Sequence, residues 1–436
     1  MKGLVLLSEE QDKRSVSYIT DGRRLYRLNT ERLEEGASVE LEKKSGNFVI
    51  KRVLEESYLP QYYTKIHAYK GKDSVIRALR KKMEPIAREI LLSVFSLKQI
   101  HVRFHEDADG ACAALCIRGA IVNRAAAYGY DEQLINKMFR FEQIGSAIYT
   151  EHDAFHDLPK SSRSSIFLLL DFASNEESRY GIQILKRAGM RVGVIDHHPP
   201  PWDSNFEKLL GVDFFISPWA CGGDSSHTAG VICGELGKML GAKGLAELQK
   251  ISVAGDRSSL IKFSEKHKNS ALLLDFALSK KMSLLTCAEA LNNPQVFSPL
   301  LSEAKLVLEE ALEEALAKTQ VFSTGAFTLA VIAIDKLATR PFPKKSLLCT
   351  LIHEKIGKNA ITVGYGKKLF IIRVSEEAVK NGFDANRFVS DAKNEFRDII
   401  IAGGGHSKAA SIRLTGSSQC IMEHLKKTLI RLTTSK

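Results

Sequence analysis

Ile100-His101-Val102-Arg103-Phe104-His105-Glu106-Asp107-Ala108-Asp109-Gly110 decides how the chain is read, together with the seven residues after it, Ala111-Cys112-Ala113-Ala114-Leu115-Cys116-Ile117. Ile100 to Phe104 alternate as a strand does, and Ala111 to Ile117 have the small apolar character of a buried helix start. Between them stand three side chains of metal-ligating type, His105, Asp107 and Asp109. At i, i+2 and i+4 of an extended segment all three project to one face. At a strand's carboxyl end they would line the crevice where open α/β sheets bind ligands. The plainer alternative is a polar turn in which an aspartate caps the helix. The same event recurs downstream, which weighs against capping alone. Ile166–Leu170 runs apolar into Asp171, and Arg191–Ile195 runs into Asp196-His197-His198.

Working outward, residues 99–262 read as an α/β domain. Short, uniformly apolar strands joined by helices imply a parallel sheet covered on both faces. Ser178–Ala188 is expected as a helix ended by Gly189, and Thr228–Met239 as another. The apolar segment Ile251–Ala254 is expected as one more element that delivers an ionisable residue at a strand end, here Asp256. Residues 1–60 are β-rich, with candidate strands at Leu4–Leu7, Ser15–Thr20, Ser38–Leu41 and Phe48–Val53. They suit either a small barrel of the oligonucleotide-binding type or an appendage that packs on the core. Residues 61–98 carry Ile76, Leu79, Ile86, Ile90, Leu91 and Val94 at helical spacing. The positions between are basic: Lys65, Lys70, Lys72, Arg77, Arg80, Lys81, Lys82 and Arg88. That face is either simply solvated or follows a phosphate backbone.

Residues 263–320 read as an acidic helical linker through Glu309, Glu310, Glu313 and Glu314. Residues 321–436 read as a second, smaller α/β domain. Its expected strands are Phe327–Ile334, Ser346–His353, Ala360–Tyr365 and Leu369–Val374. Asp384 is expected to cap a helix reaching Phe396, and Gly403-Gly404-Gly405-His406 follows it.

The totals restrict the classes. The 436 residues carry a net charge of +11, which favours a polyanionic partner, nucleic acid first. Seven dispersed cysteines without a Cys-x-x-Cys pair argue for a reducing compartment, against a zinc ribbon and against a disulfide framework. Cys112 and Cys116 are expected as small core residues. No apolar run approaches the roughly 18 residues that a membrane helix needs. The expectation is a cytoplasmic protein with no membrane partner.

His105-x-Asp107-x-Asp109-Gly110, Asp171, Asp196-His197-His198 and Asp256 resemble, in chain order, the four motifs of the DHH phosphoesterase superfamily. Gly403-Gly404-Gly405-His406 resembles the signature of the DHH-associated C-terminal domain, and Arg373-x-Ser375 its upstream substrate-binding element. The resemblance covers roughly residues 99–262 and 321–436. Size and basic character are most similar to RecJ-like single-strand exonucleases of the archaeal type. In RecJ-type enzymes the first motif position is often aspartate, and His105 is closer to other branches.

The resemblance implies a catalytic domain and a C-terminal domain across a cleft. It implies that His105, Asp107 and Asp171 hold one ion, and that Asp109, Asp171, His197 and Asp256 hold a second, with Asp171 bridging. His198 would face the scissile phosphate, and Arg373, Ser375, Gly403, Gly404, Gly405 and His406 would bind substrate. Apart from the resemblance, His227 in Ser225-Ser226-His227-Thr228 either borders the cleft or simply lies in a helix N-cap, which would explain the Ser and Thr there. Phosphodiester hydrolysis suits such a set, because two divalent ions about 3.5–4 Å apart neutralise the phosphate and activate water. Carboxylate and imidazole ligands favour Mn²⁺, with Mg²⁺ as the other candidate. The implied function is a two-metal exonuclease that hydrolyses single-stranded DNA or RNA to mononucleotides, with replication or repair proteins as further partners. The alternatives are a phosphodiesterase of short oligonucleotides or cyclic dinucleotides, and a non-enzymatic scaffold of a replication complex.

Overall fold

A computed structural model describes residues 1–436 except 12–13, 22–23, 35–36, 56–65, 69–70, 162–165, 201–207, 209, 324–325 and 435–436. The chain divides into two units, Met1–Ala271 and Leu272–Lys436.

The first unit begins with β1 (Lys2–Gln11), β2 (Arg14–Thr20), β3 (Leu25–Thr30), β4 (Ser38–Lys44) and β5 (Asn47–Leu54). They pair antiparallel in the order β3-β2-β1-β4-β5. β3 and β5 also approach each other, so the sheet curls around Val5, Ile19, Val39 and Leu41. Leu4 and Val16 are buried as well. Helix α1 (Ser74–Phe95) follows, with the Asp73 carboxylate accepting from the Ile76 N–H as its cap. Its apolar stripe Ile76, Leu79, Met83, Ile86, Ile90 and Val94 is buried. Arg77, Lys81, Lys82 and Arg88 are exposed as expected, but Arg80 is not. Its guanidinium is buried against the Glu235 carboxylate and the His67 carbonyl, because the stripe's width turns position 80 inward. Lys65 and Lys70 lie outside the described residues.

Next come β6 (Ile100–His105), α2 (Ala108–Ala127), α3 (Glu132–Met138), β7 (Phe139–Ile144), α4 (Glu151–Asp157), β8 (Ile166–Leu170), α5 (Arg179–Arg187), β9 (Arg191–Ile195), β10 (Phe214–Ile216), α6 (Ala229–Met239) and α7 (Ala246–Gly255). The five strands form a parallel sheet ordered β10-β9-β8-β6-β7. Counted along the chain this is a 2-1-3-4-5 sheet, and its strand order reverses between β6 and β8. In open α/β sheets ligands bind in the crevice outside the strand ends at that reversal. One sheet face packs Phe167, Leu169, Val192 and Val194 against Tyr149, Ala154, Ile182 and Leu185. On the other, Ile86 of α1 and Leu168 close over Gly193. Ile251–Ala254 lies inside α7, so Asp256 ends a helix and not a strand. The segment is short and apolar, and a buried helix and a buried strand look alike at that length.

The second unit holds α8 (Glu265–Ser279, within which the division falls), α9 (Leu284–Asn292), α10 (Pro294–Ala317), β11 (Gln320–Ser323), β12 (Thr328–Ala333), α11 (Lys345–Ile356), β13 (Ala360–Tyr365), β14 (Leu369–Val374), α12 (Glu376–Lys380), α13 (Ala385–Glu395), β15 (Ile400–His406), β16 (Ala409–Leu414) and α14 (Gln419–Thr434). Its six-stranded sheet runs β11-β12-β13-β14-β16-β15, with β12 and β13 the parallel pair. Ser346–His353 is helical and not a strand: Leu348, Cys349 and Ile352 form a buried stripe at i, i+1 and i+4. Asp384 caps α13 as expected.

Candidate metal centre

β6 ends at His105, and the chain turns at once into α2. Asp107 is extended and its carboxylate accepts from the Gly110 N–H, so it is a helix cap as well as a site residue. The three motif side chains therefore do not share an extended segment. His105 closes the strand, Asp107 caps the helix, and Asp109 lies in the first helical turn. Gly110 permits this tight passage, since a Cβ there would sit 2.3 Å from the His105 carbonyl oxygen.

Asp171 follows β8 with φ +67°, and Ala173 has φ +76°. Left-handed backbone costs a non-glycine residue roughly 1–2 kcal/mol, and such strain collects at functional sites. The turn directs the two oxygens of Asp171 to different neighbours. Oδ2 lies 3.8 Å from His105 Nδ1, while Oδ1 lies 3.2 Å from His197 Nε2. Two donor groups result, each with its ligand-type atoms within 4.8 Å of one another: His105, Asp107 and Asp171, and Asp109, His197 and Asp256. His105 Nδ1 is also in direct contact with the Asp107 carboxylate.

His197 follows β9. Its Nδ1–H donates to the Ser225 carbonyl (2.8 Å), which turns Nε2 toward the carboxylates. Three of them surround that one nitrogen: Asp256 Oδ2 at 3.1 Å, Asp171 Oδ1 at 3.2 Å and Asp109 Oδ2 at 3.6 Å. Asp171 Oδ1 is buried and has no hydrogen bond among the described residues. Burial, with repulsion from Asp171 and Asp256, raises the Asp109 carboxyl well above the ordinary range. Burial, with repulsion from Asp171 and Asp107, pushes Asp256 up to about 6. Burial opposes a charged His197, but Asp256, Asp171 and Asp109 outweigh it and hold its pKa well above the usual value. One ring proton cannot satisfy three carboxylates, and an unpaired buried charge costs several kcal/mol. A divalent cation between these groups removes the conflict, so the residues fit bound metal.

The scaffold around this set was not legible in advance. Thr228 makes no side-chain cap for α6. The cap comes from Asp109, whose carboxylate accepts from Ala229 N–H (2.8 Å), Gly230 N–H (2.7 Å) and Ser252 Oγ (2.5 Å). The Trp219 indole N–H and Ser225 Oγ both donate to the His197 carbonyl at 3.0 Å. Asp196 is buried; its Oδ1 meets His198 Nδ1 at 2.7 Å, and its Oδ2 accepts from Ser174 Oγ at 2.5 Å. Burial works against both charges of that pair, yet the pairing wins: Asp196 is lowered and His198 raised. His198 is 51% exposed and lies 4.0 Å from Asp171 Oδ1, an oriented imidazolium at the edge of the carboxylate set. His227 is buried, with Nε2 3.3 Å from Asp73 Oδ2. A second cluster, His101, Glu142 and Asp157, is neutralised within the protein by Arg103 and Lys160.

The remaining expected site residues belong to the second unit. Arg373 on β14 donates to Thr350 Oγ1 (2.8 Å) and to the Ile372 carbonyl (2.9 Å). Ser375 caps α12 by accepting from the Ala378 N–H (3.2 Å). Gly403, Gly404, Gly405 and His406 lie on β15, the edge strand. Gly405 is required by close approach, since a Cβ would sit 2.2 Å from the Ala409 carbonyl oxygen, whereas Gly404 faces open space.

No protein-family model matches the chain. An uncharacterized protein of Methanocaldococcus jannaschii is 25% identical over 91% of this chain, and the chain spans 59% of that relative's length. Among solved structures, a DHH domain described as a member of the S1p family of ribosomal proteins is similar over 84% of this chain and 94% of its own (TM-score 0.76, 22% identity). RecJ of Thermus thermophilus in complex with Mn²⁺ is similar over 81% of this chain and 55% of its own (TM-score 0.52, 15% identity). An exonuclease RecJ bound to manganese is similar over 84% and 96% (TM-score 0.50, 15% identity). The fold is that of DHH domains and RecJ. Among the described residues no helix is long and apolar enough to cross a membrane.

Proposed function

We propose that the chain is a metal-dependent phosphodiesterase, and within that class a RecJ-like exonuclease that hydrolyses single-stranded DNA or RNA to mononucleotides. One observation carries the reading: Asp171 turns one oxygen to the His105 set and the other to the His197 set. A carboxylate so placed suits the shared ligand of two cations. His105 and Asp107 would complete one site, and Asp109, His197 and Asp256 the other. Two bound divalent ions, Mn²⁺ or Mg²⁺, supply charge neutralisation at a phosphate and make water acidic enough to attack near neutral pH.

The chain's own groups do the rest. Asp109 is fixed by α6 and Ser252, and His197 by Ser225, so the ligand atoms are preorganised. His198, kept charged and oriented by Asp196, can stabilise negative charge on a phosphate or give a proton to the leaving oxygen. Arg373, Ser375 and the segment Gly403–His406 are proposed to bind substrate, the arginine by its guanidinium and the glycines by backbone N–H groups. The curled sheet β1–β5 is proposed as an oligonucleotide-binding type of barrel.

The test uses Mn²⁺ with single strands of DNA and RNA labelled at either end, and EDTA as the control. Release of mononucleotides from one labelled end at once, and from the other late, supports the exonuclease and gives its polarity. Cleavage of dinucleotides alone moves the protein to the short-oligonucleotide reading. No cleavage of any substrate favours the scaffold.

A further inference from the structure

Several of the first unit's basic side chains are answered by acids: Arg80 by Glu235, Arg103 by Asp157, Lys186 by Asp213. Arg77, Lys81 and Lys82 are not. They stand exposed at i, i+4 and i+5 of α1, and none makes an ion pair among the described residues. With Ser74 and Cys221 they line a cleft of about 430 Å³, and among the described residues no carboxylate lines it.

The cleft's other wall is the single-turn segment Pro218–Cys221. Trp219 in that turn holds the His197 carbonyl, and Cys221, two residues on, lines the cleft. From the opposite side Asp73 caps α1 and binds His227, six residues beyond Cys221. The loop that positions a proposed metal ligand is therefore also the wall of a basic cleft.

We infer that this cleft binds the phosphodiester backbone of a nucleic-acid strand whose end lies at the metal centre. The inference rests on the nuclease reading above. Arg77 and Lys81 stand one helical turn apart with Lys82 next to Lys81, and several separate cations along one helix match a ligand whose charges repeat along a chain. The cations are also recessed beside Ala78 and Ala220, with no large apolar side chain to insert into a lipid surface.

The test is the full-length variant Arg77→Gln/Lys81→Gln/Lys82→Gln, whose fold is checked by circular dichroism. Binding of a labelled single-stranded 20-mer is measured in EDTA by fluorescence anisotropy across a salt series. Three lost phosphate contacts at about 0.7 counterions each should lower the salt slope by about 2, and affinity near 0.1 M salt between about 10- and 100-fold. With Mn²⁺, KM for the 20-mer should rise while kcat and dinucleotide cleavage stay unchanged. A 20-mer affinity and salt slope equal to wild type would overturn the inference. So would a KM for the 20-mer equal to that of wild type. Wild-type protein that binds the 20-mer but cleaves nothing would sink the nuclease reading instead, and the comparison in EDTA would still decide the cleft.

Discussion

Replacing Asp256 with asparagine should stabilise the metal-free protein and reduce the stabilisation that metal confers. Asp256 is pushed up to about 6 against an ordinary 3.8, by burial and by the facing carboxylates Asp171 and Asp107. The folded state therefore holds this proton more tightly than the unfolded chain. The stability contributed by Asp256 falls as pH rises from about 4 to about 6, and then levels off. The gap corresponds to about 3 kcal/mol at 1.36 kcal/mol per tenfold. Asparagine mimics the protonated form, so Asp256→Asn in EDTA at pH 8 should gain about 1–3 kcal/mol. At pH 4 the two proteins should be nearly equal. Added Mn²⁺ should stabilise wild type by RT ln(1 + [Mn²⁺]/Kd), about 2.7 kcal/mol at a hundredfold excess over Kd. The variant has lost a ligand and should gain less, so its advantage in EDTA should shrink when Mn²⁺ is added. Urea unfolding at pH 4 and pH 8, each with EDTA and with Mn²⁺, measures all four terms. A variant less stable than wild type in EDTA at pH 8, or the same difference at both pH values, would falsify the account of crowded carboxylates awaiting a cation.

Other perturbations separate the roles within the site. Asp171→Asn should abolish hydrolysis with an unchanged circular dichroism spectrum, because it removes the group that faces both donor sets; retained activity would break the two-ion assignment. Ser252→Ala removes the 2.5 Å hydrogen bond to Asp109. It should weaken Mn²⁺ affinity about 10–100-fold, as loss of an outer partner of a ligand does, and calorimetric titration with Mn²⁺ reads this directly. Asp196→Asn removes the carboxylate that keeps His198 charged. The charged form would then be lost at lower pH, so the basic limb of the kcat/KM profile should move to lower pH, with kcat down about 10²–10⁴-fold. An unmoved basic limb would mean that His198 takes no part as a proton donor.

Much of the first unit could be read from local pattern. Ile166–Leu170 and Arg191–Ile195 are strands with those bounds, because short apolar runs beside helical stretches leave few alternatives. The acids after them, Asp171 and Asp196, stand where the chain leaves the parallel sheet at its strand ends. Ser346–His353 and Ile251–Ala254 show the limit of that reasoning. Over so few residues an apolar run has no measurable period, and packing against neighbours decided for helix in both. The surface reading of Arg80 failed for a related reason: one arginine beyond the stripe finds a buried partner in Glu235, 155 positions away.

The sequence alone determined which residue types could form the centre and their order at element ends: His105, Asp107, Asp109, Asp171, His197, His198 and Asp256. Only the tertiary structure decided what each one touches. The reversal of strand order between β6 and β8 brings His105 and Asp171 to one crevice. Asp109 became the cap of a helix 120 positions away, Asp196 became the support of His198, and the loop after Pro218 became both the brace of His197 and the wall of a basic cleft. Periodicity and capping act within a few residues, so a sequence displays them directly. Like charges crowded around one imidazole, and cations left without acids, arise only when distant segments are packed together, and no local pattern encodes them.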